Sequence, residues 1–424
     1  MIAIKHIITI VLISLLALQS IGQDASKKST AKLKGYGKNA IAAGDTYSAI
    51  DYYEEYMKRK PDDHKVAFEL AECHRAARNY PKAKEWYKKA YELDPKKEVI
   101  SLYYYAQMLK VEQKYDDALQ SFTKFKKEFG DPKKDKRQLK KLLREQIPSC
   151  DLAKRLLDSV IVTSITHLDT TINKQSVEAA PVYLNDKEFI YTSLRSDTPV
   201  YARTSVPNMK VPVRQIYKAK RNAKNATFVG LWNEANVNVP DTNTANGAFS
   251  PDKERFYFSR CYRNIKNDVI CSIYMTEKKI NRWNTPTILP ETINDPDFTS
   301  TQPAVGTDSK TQDEVLYFVS NKKDGKGGLD IWYSMYNKKK KIWKAPRNCG
   351  SEVNTAGDEM SPYIDNENRN LYFSSNGLPG LGEYDIFRAT GESSKFLPAE
   401  NIGAPINSSY DDIIYTMNTS KEEG

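Results

Sequence analysis

Three patterns of apolar positions follow one another along the chain. The first is a single apolar run over residues 7–18, preceded by one basic residue, Lys5. Small residues, Ser20 and Gly22, follow at the −3 and −1 positions of a cleavage site. This arrangement is typical of a secretory signal. The run is shorter than the roughly 20 residues that span a membrane. The pattern predicts a cleavable signal peptide over residues 1–22; the alternative is a signal anchor.

The second pattern is a helical repeat with a period of 34–35 residues. It superimposes Ala49 on Ala83, Tyr53 on Tyr87, Pro61 on Pro95, Ala71 on Ala106, Ala83 on Ala118 and Tyr87 on Phe122. This helix–turn–helix period is the signature of the tetratricopeptide (TPR) repeat. Small alanines let paired helices approach, and proline ends the second helix. We predict three repeats, near 31–62, 64–96 and 99–131. A further helix over 135–158, interrupted at Pro148, is expected to cap the last repeat.

The concave face of such an array is lined by the first helix of each repeat. From the register, the residues expected there are Lys34, Lys38, Lys65, Arg75, Tyr103, Gln107 and Lys110. A mostly basic groove favours an acidic segment of a partner protein. The alternative is that these are ordinary solvated side chains on a basic helical surface.

The third pattern is a longer repeat rich in aromatic strands. Its four aromatic strands begin at Phe189, Phe256, Leu316 and Leu371. In each unit a first strand precedes the aromatic strand and a third follows it. A fourth strand opens near Trp232, Trp283, Trp343 or Phe396, and the unit closes at Asn238, Asn294, Asn354 or Asn407. Four short strands per repeat of this length are typical of a β-propeller blade.

The predicted fold class is therefore multidomain, α plus all-β. A TPR helical repeat domain over residues 23–158 precedes a WD40-like β-propeller over residues 159–424. The propeller is expected to have four full blades plus a partial fifth.

The partial fifth blade rests on two segments at opposite ends of the propeller. Val160–Asn173 ends in a fifth closing asparagine, so it is expected to be a last strand. Asp411–Thr416 resembles a fifth first strand. Because two strands of this blade are missing, we expect the chain to be a C-terminally truncated form of a longer protein. The alternative is a natural open ring with bare strand edges.

Composition and charge locate the basic character in the helical repeats. The 424 residues carry 64 Lys and Arg against 54 Asp and Glu, a net charge of +10. Residues 24–158 hold 31 basic and 22 acidic residues, whereas residues 159–424 hold 32 of each. Export and the lack of a nucleic-acid motif argue against nucleic-acid binding. The mean hydropathy of −0.64 excludes a polytopic membrane protein.

Two of the five cysteines, Cys261 and Cys271, adjoin strand-like runs on either side of a short polar stretch. Two alternatives stay open: a disulfide across a hairpin, which export permits, or buried free thiols. The five cysteines lack the CxxC spacing of a zinc site.

Chemical motifs give little support for catalysis. Asp324, Asp330 and Asp385 lie near glycines, but each loop offers too few oxygens for calcium. We therefore predict tight turns in which the aspartate accepts backbone N–H bonds. No zinc-protease, nucleophile-elbow or phosphate-loop motif is present. The sequence thus predicts neither an enzyme nor a metal or cofactor site.

Two loops of the β repeat carry a family resemblance. They read Ser320-Asn321 with Gly325, Gly327, Gly328 and Asp330-Ile331, and Ser375-Asn376 with Gly377, Gly380, Gly382 and Asp385-Ile386. They resemble the blade motif of exported envelope proteins that join a TPR array to a WD40-like (TolB-like) propeller, usually with a C-terminal OmpA-like domain. PorE-type components of type IX secretion have this order. The first two blades depart from the motif: Ser259-Arg260-Cys261 lacks the asparagine and glycines, and Leu194–Arg214 is an insertion.

The resemblance implies a non-enzymatic scaffold in the periplasm, associated with the outer membrane and binding other envelope proteins. The OmpA-like, peptidoglycan-binding domain is not among these residues, so peptidoglycan contact cannot be assigned to them. The alternative function is a soluble periplasmic propeller that binds carbohydrate or peptide; a hydrolase is a third hypothesis.

Overall fold

The structure is a computed structural model that divides into two compact units, Met1–Gly130 and Asp131–Gly424. The residues it describes are 25–43, 45–129, 136–159, 163, 165–174, 177–195, 200–203, 210–222, 225–240, 242–263, 269–418 and 420. The predicted signal peptide lies outside them. Among them, no helix combines the length and apolar character of a membrane span.

Three helix pairs form the first unit, as the sequence predicted. The helices are α1 (Thr30–Ala43), α2 (Thr46–Arg59), α3 (His64–Ala76), α4 (Tyr80–Leu93), α5 (Ser101–Val111) and α6 (Tyr115–Glu128). Within each pair the two helices pack against each other, and successive pairs also pack together. The TPR solenoid is thus confirmed.

Short polar side chains fix where these helices begin. The carboxylate of Asp45 accepts the Ser48 N–H at 3.0 Å, and that of Asp63 accepts the Val66 N–H at 3.2 Å. Each satisfies one backbone donor that the first turn of a helix leaves unpaired.

Small and aromatic residues alternate in the core between the helices. Ala49, Ala83 and Tyr87 are fully buried, and so are the other repeat positions, Tyr53, Ala71, Ala106, Ala118 and Phe122. The Tyr87 ring stacks on that of Tyr104 with centroids 5.3 Å apart. The repeat period therefore marks packing positions, as expected.

Helix α7 (Lys136–Asp158) differs from its prediction in two respects. It runs through Pro148 without interruption, and it belongs to the second compact unit. Its Ser149 Oγ donates to the Gly380 carbonyl at 2.7 Å, and its Gln146 Nε2 donates to the Asn376 carbonyl at 3.3 Å. The division of the chain thus falls at residues 130/131 instead of 158/159, because α7 bonds to a loop of the β unit.

Four antiparallel sheets form the blades of the propeller. The first contains β1 (Glu178–Asn185), β2 (Glu188–Ser193), β5 (Gln215–Arg221) and β6 (Ala226–Leu231); the hairpin β3 (Val200–Arg203) and β4 (Lys210–Val213) is inserted within it. The second contains β7 (Asn243–Phe249), β8 (Arg255–Arg263), β9 (Val269–Lys279), β10 (Arg282–Trp283) and β11 (Thr287–Ile288). The third contains β12 (Ser300–Thr307), β13 (Glu314–Ser320), β14 (Asp330–Asn337), β15 (Ile342–Trp343) and β16 (Arg347–Asn348). The fourth contains β17 (Glu359–Asp365), β18 (Asn370–Ser375), β19 (Asp385–Glu392), β20 (Lys395–Phe396) and β21 (Glu400–Asn401).

The fourth strand of a blade is more broken than predicted. In the second, third and fourth blades it consists of two separate two-residue strands, both paired with the third strand. In the first blade, β6 ends before Trp232, which is buried after the strand. The aromatic second strands β2, β8, β13 and β18 coincide with the four predicted ones.

The two segments assigned to a partial fifth blade lie against the complete blades. In the C-terminal segment, the Asp412 N–H donates to the Tyr384 carbonyl at 2.9 Å, and the Tyr415 ring stacks on Tyr372. In the N-terminal segment, Ile172 is buried and Thr171 Oγ1 donates to the Ala226 carbonyl at 2.7 Å. The fold, a helical array followed by a propeller of four blades with a partial fifth sheet, is thus as predicted. Within it, residues 411–418 and 165–174 contain no regular strand, and residues 160–162 and 164 of the N-terminal segment lie outside the described residues.

Candidate binding sites

The predicted TPR groove residues fall into two groups. Lys38 and Lys65 are exposed, whereas Lys34 and Arg75 are half-buried. Tyr103, Gln107 and Lys110, all on α5, are 5%, 4% and 1% exposed. The prediction that these seven residues bind a partner is untested, but only those on α1 and α3 are open to one here.

Lys34 lies in a small charged cluster at the junction of the first two repeats. Its Nζ donates to Asp63 Oδ2 at 2.8 Å, and the Tyr56 hydroxyl donates to the same oxygen at 2.9 Å. Burial opposes ionisation of Asp63, yet these donors and the Val66 N–H together lower its pKa to about 2. The ammonium of Lys34 is therefore already paired within the protein.

Arg75 is similarly held by side chains of its own repeat and of the next one. Its Nε donates to the Tyr87 hydroxyl at 3.1 Å, and its Nη2 pairs with Glu72 at 2.9 Å. Its guanidinium lies over the Tyr104 ring, 5.3 Å from the centroid. Lys38 and Lys65 thus remain as the exposed basic side chains of the predicted face.

The second candidate site is a cavity of about 430 Å³ lined by the first strands of all four blades, β1, β7, β12 and β17, and by residues 414–418. Its volume is within the range of small-molecule sites, about 300–1,000 Å³. The first strands were predicted from the sequence, whereas this cavity was not.

A bulge in each first strand shapes the cavity wall. In each blade the pairing of the first strand with the second strand shifts register at one residue of positive φ. These residues are Ala180 at 50°, Asn246 at 47°, Gln302 at 50° and Ser361 at 52°. A bulge redirects the local side chains and is common next to functional sites. Three of the four bulge residues are polar, and all four line the cavity. The proline that follows three of them was the available sequence signal.

Charged groups lie on the turns that follow the first strands. Lys253 Nζ donates to the Leu184 carbonyl at 3.0 Å. Asp365 accepts the Glu367 N–H at 3.2 Å and the Asn368 side-chain amide at 2.7 Å. Glu367 is the other carboxylate of the lining, two residues from Asp365. Both carboxylates of the described lining thus come from one short segment of the fourth blade, whereas glycoside hydrolysis uses two carboxyl groups that flank the scissile bond.

The Gly/Asp loops are structural turns, as predicted. Asp330 accepts the Gly327 N–H at 3.2 Å and also the Lys326 N–H, and Asp385 accepts those of Leu381 and Gly382, both at 3.0 Å. Burial raises the pKa of Asp330 despite these bonds. The described part of the chain contains no group of three or more acidic, His or Cys side chains placed to hold a metal ion.

Cys261 and Cys271 form a disulfide between opposed residues of β8 and β9, with Cα atoms 4.0 Å apart. Of the two alternatives left by the sequence, the structure has the disulfide. Cys73, Cys150 and Cys349 are buried and lie outside this disulfide. Burial raises the pKa of the Cys73 thiol to about 11, so this thiol is unreactive at neutral pH.

Comparison with known proteins agrees with the repeat architecture. The tetratricopeptide-repeat family model TPR_16 matches residues 37–98. No curated protein matches the chain.

Solved structures resemble the two units separately. The TPR2B domain of yeast Sti1 in its pHsp70 complex is 20% identical, and the match covers 29% of this chain and 96% of that one, with a TM-score of 0.26. A glycoside hydrolase is 12% identical, covering 65% and 93% with a TM-score of 0.37. An α-L-arabinofuranosidase of Clostridium thermocellum is 14% identical, covering 59% and 82% with a TM-score of 0.34. These likenesses concern the fold alone.

Proposed function

We propose that this protein is a non-enzymatic scaffold of the cell envelope that binds partner proteins through its TPR array and its propeller surface. The observation that carries the proposal is the TPR array itself, whose α1 and α3 present Lys38 and Lys65 to solvent. Arrays of this kind offer extended surfaces for protein partners. The basic excess of residues 24–158 favours an acidic partner segment.

The finer proposal concerns location. The signal-peptide pattern and the blade motifs support export to the periplasm and a place in an outer-membrane-associated complex. That complex would be a type IX-like secretion assembly or an OmpA-type, peptidoglycan-linked one. The Cys261–Cys271 disulfide is compatible with such an oxidising compartment.

The non-enzymatic part is supported by the cavity lining. Its two carboxylates lie on one turn, and Asp365 is occupied by hydrogen bonds within that turn. We expect no turnover on chromogenic glycoside, ester or peptide panels. Turnover on any of them, lost when Asp365 and Glu367 are replaced by Asn and Gln, would establish a hydrolase instead.

Charge reversal on the TPR face tests the scaffold proposal. The full chain is cross-linked in the producing cells, and captured proteins are identified for the wild type and for the double variant Lys38→Glu/Lys65→Glu. A matched control, Lys88→Glu/Lys126→Glu, makes the same charge change at exposed positions of the second helices α4 and α6. We expect envelope partners to be captured by the wild type and the control, but not by the double variant. Equal capture by all three proteins, or no capture of envelope partners by any of them, would contradict the proposal.

A further inference from the structure

The polar bulge residues converge on the central cavity from three different blades. From this arrangement we propose that the cavity binds a small, uncharged saccharide through Asn246, Gln302 and Ser361. The proposal goes beyond the scaffold function, because it concerns a site within the propeller and not the TPR face.

Gln302 is held in place as a hydrogen-bond donor. The Ser361 N–H donates to Gln302 Oε1 at 2.8 Å, and the Gln302 N–H donates to Ser259 Oγ at 3.0 Å. These two bonds fix the backbone and the carboxamide oxygen. The Nε2 group of this side chain has no acceptor among the described residues. Its two N–H donors are therefore left for a ligand.

Asn246 and Ser361 add both hydrogen-bond donors and hydrogen-bond acceptors. The Asn246 N–H donates to Thr192 Oγ1 at 3.1 Å, whereas its side-chain amide bonds to no described residue. The Ser361 hydroxyl also lacks a partner in the described part of the chain. Together the three side chains provide amide donors, an amide acceptor and a hydroxyl. Adjacent hydroxyl groups of a saccharide, each able to donate and accept, complement such a set.

The charges of the lining favour an uncharged ligand. A phosphate or carboxylate ligand needs a cationic partner where it is desolvated. Lys253, the single Lys or Arg among the described lining residues, lies on a turn and donates to the Leu184 carbonyl. Asp365 and Glu367 also belong to a turn. The bulge positions themselves carry no charge, so an uncharged ligand fits them.

The arrangement also favours a saccharide over a peptide. An extended peptide is usually recognised by a ladder of backbone bonds along one strand edge. Here the three polar groups belong to β7, β12 and β17, one on each strand. Pro181, Pro303 and other apolar residues of the wall offer surface to the C–H faces of a sugar ring. A few placed polar groups on an apolar wall are the usual composition of a small-molecule site.

Binding is tested on the full chain with glucose, galactose, maltose and cellobiose as probes. Saturation-transfer NMR detects contact, and calorimetry gives the affinity. The variant Gln302→Glu keeps an acceptor for the Ser361 N–H but replaces the Nε2 donors by a charged oxygen. The control Gln312→Glu makes the same change in an exposed turn, where the amide bonds Ser309. Thermal melts verify that both variants fold.

We expect at least one probe to bind the wild type and the control with equal affinity. We expect the affinity of Gln302→Glu for that probe to be lower by a factor of about ten or more. Equal binding by Gln302→Glu, or no binding of any probe at millimolar concentration, would overturn the proposal. Binding of tetraalanine without any saccharide would overturn it in favour of a peptide. Partner capture by the TPR face is unaffected by this substitution, so the scaffold proposal stands or fails separately.

Discussion

Asn354 and Ile331 are joined by two reciprocal hydrogen bonds. The Ile331 N–H donates to Asn354 Oδ1, and Asn354 Nδ2 donates to the Ile331 carbonyl, both at 2.8 Å. The carboxamide thus pairs with the third strand as a backbone amide would. The same pair of bonds, at 2.7–2.9 Å, joins Asn238 to Ile216, Asn294 to Ile273 and Asn407 to Ile386. Each blade is therefore closed by an asparagine side chain that pairs with the third strand after the fourth strand has ended.

The first prediction concerns this closing asparagine. Asn354→Asp keeps the acceptor for the Ile331 N–H but loses the donor to the Ile331 carbonyl. Since Asn354 is 1% exposed, we expect a loss of about 1–3 kcal/mol in the free energy of unfolding. Urea unfolding followed by tryptophan fluorescence measures it, because four of the five tryptophans belong to the propeller.

Asn173 provides the matched control. It is the fifth copy in the sequence, but it is exposed, and its side-chain amide donates to the Leu168 carbonyl. Asn173→Asp should change stability by less than about 0.5 kcal/mol. Comparable losses at the two positions would show that the closing bonds are not what stabilises the blade.

A second prediction compares two glycines on helix α1. A Cβ at Gly35 has no atom within 4 Å, whereas a Cβ at Gly37 would overlap the buried ring of Tyr53. Gly35→Ala should stabilise the helical unit by about 0.5–1 kcal/mol, because alanine has the higher helix propensity. Gly37→Ala should destabilise it by about 1–3 kcal/mol through overpacking. Thermal melts followed by the helical circular-dichroism signal measure both effects. A change of melting temperature in the same direction for the two variants would contradict this packing.

The third prediction is a pH dependence from Glu359. Burial raises its pKa to about 7 from an ordinary value of 4.5, even though Ser375 Oγ and Thr355 donate to it; the charge of Asp330 acts in the same direction. Between these two pH values the unfolded chain releases a proton that the folded chain retains. Stability therefore falls as pH rises from 4.5 to 7, by an amount on the order of 2–3 kcal/mol.

Glu359→Gln removes this titration while preserving the side-chain size. Asp412, whose burial raises its pKa to about 6, contributes to both proteins alike. The stability of the wild type minus that of Glu359→Gln, measured at several pH values, isolates Glu359. We expect this difference to decrease from pH 4.5 to 7 and then level off. A difference that is constant with pH would mean that Glu359 is ionised in the folded protein.

A fourth prediction uses the cysteines to test both the hairpin and the location. Protein from its native compartment, alkylated after denaturation without reductant, should react at three of its five cysteines: Cys73, Cys150 and Cys349. Reaction at all five would indicate a reducing compartment.

The stabilising effect of the disulfide is measured separately. Replacing Cys261 and Cys271 by serine opens a cross-link over a sequence separation of 10. In the chain-entropy account, closing a loop of this length stabilises by about 2–3 kcal/mol. We expect the double variant to unfold at a lower urea concentration than the wild type, with its free energy of unfolding reduced by this amount. The single variant Cys349→Ser, at a free buried thiol, controls for the substitution itself.

Much of this architecture is determined by the sequence, since repetition makes local patterns visible. Ala83 and Tyr87 recur at helical spacing because every repeat buries the same two positions between helices. The closing asparagines recur because every blade pairs a carboxamide with its third strand after the fourth strand has ended. The Asp330 and Asp385 turns follow from glycines beside an acceptor side chain. Such features depend on near neighbours in the chain and are therefore readable from it.

Other features depend on which distant segments meet, and only the tertiary structure decided them. Helix α7 has the composition of a cap for the helical array, yet Ser149 bonds to Gly380, 231 residues away. Gln302 is one polar residue among many in the sequence. It becomes a candidate ligand-binding residue because a bulge gives it positive φ and because the Ser361 N–H, from the next blade, fixes its carboxamide. Local propensity and periodicity contain no information on such contacts, since they arise only when the blades close around a common centre.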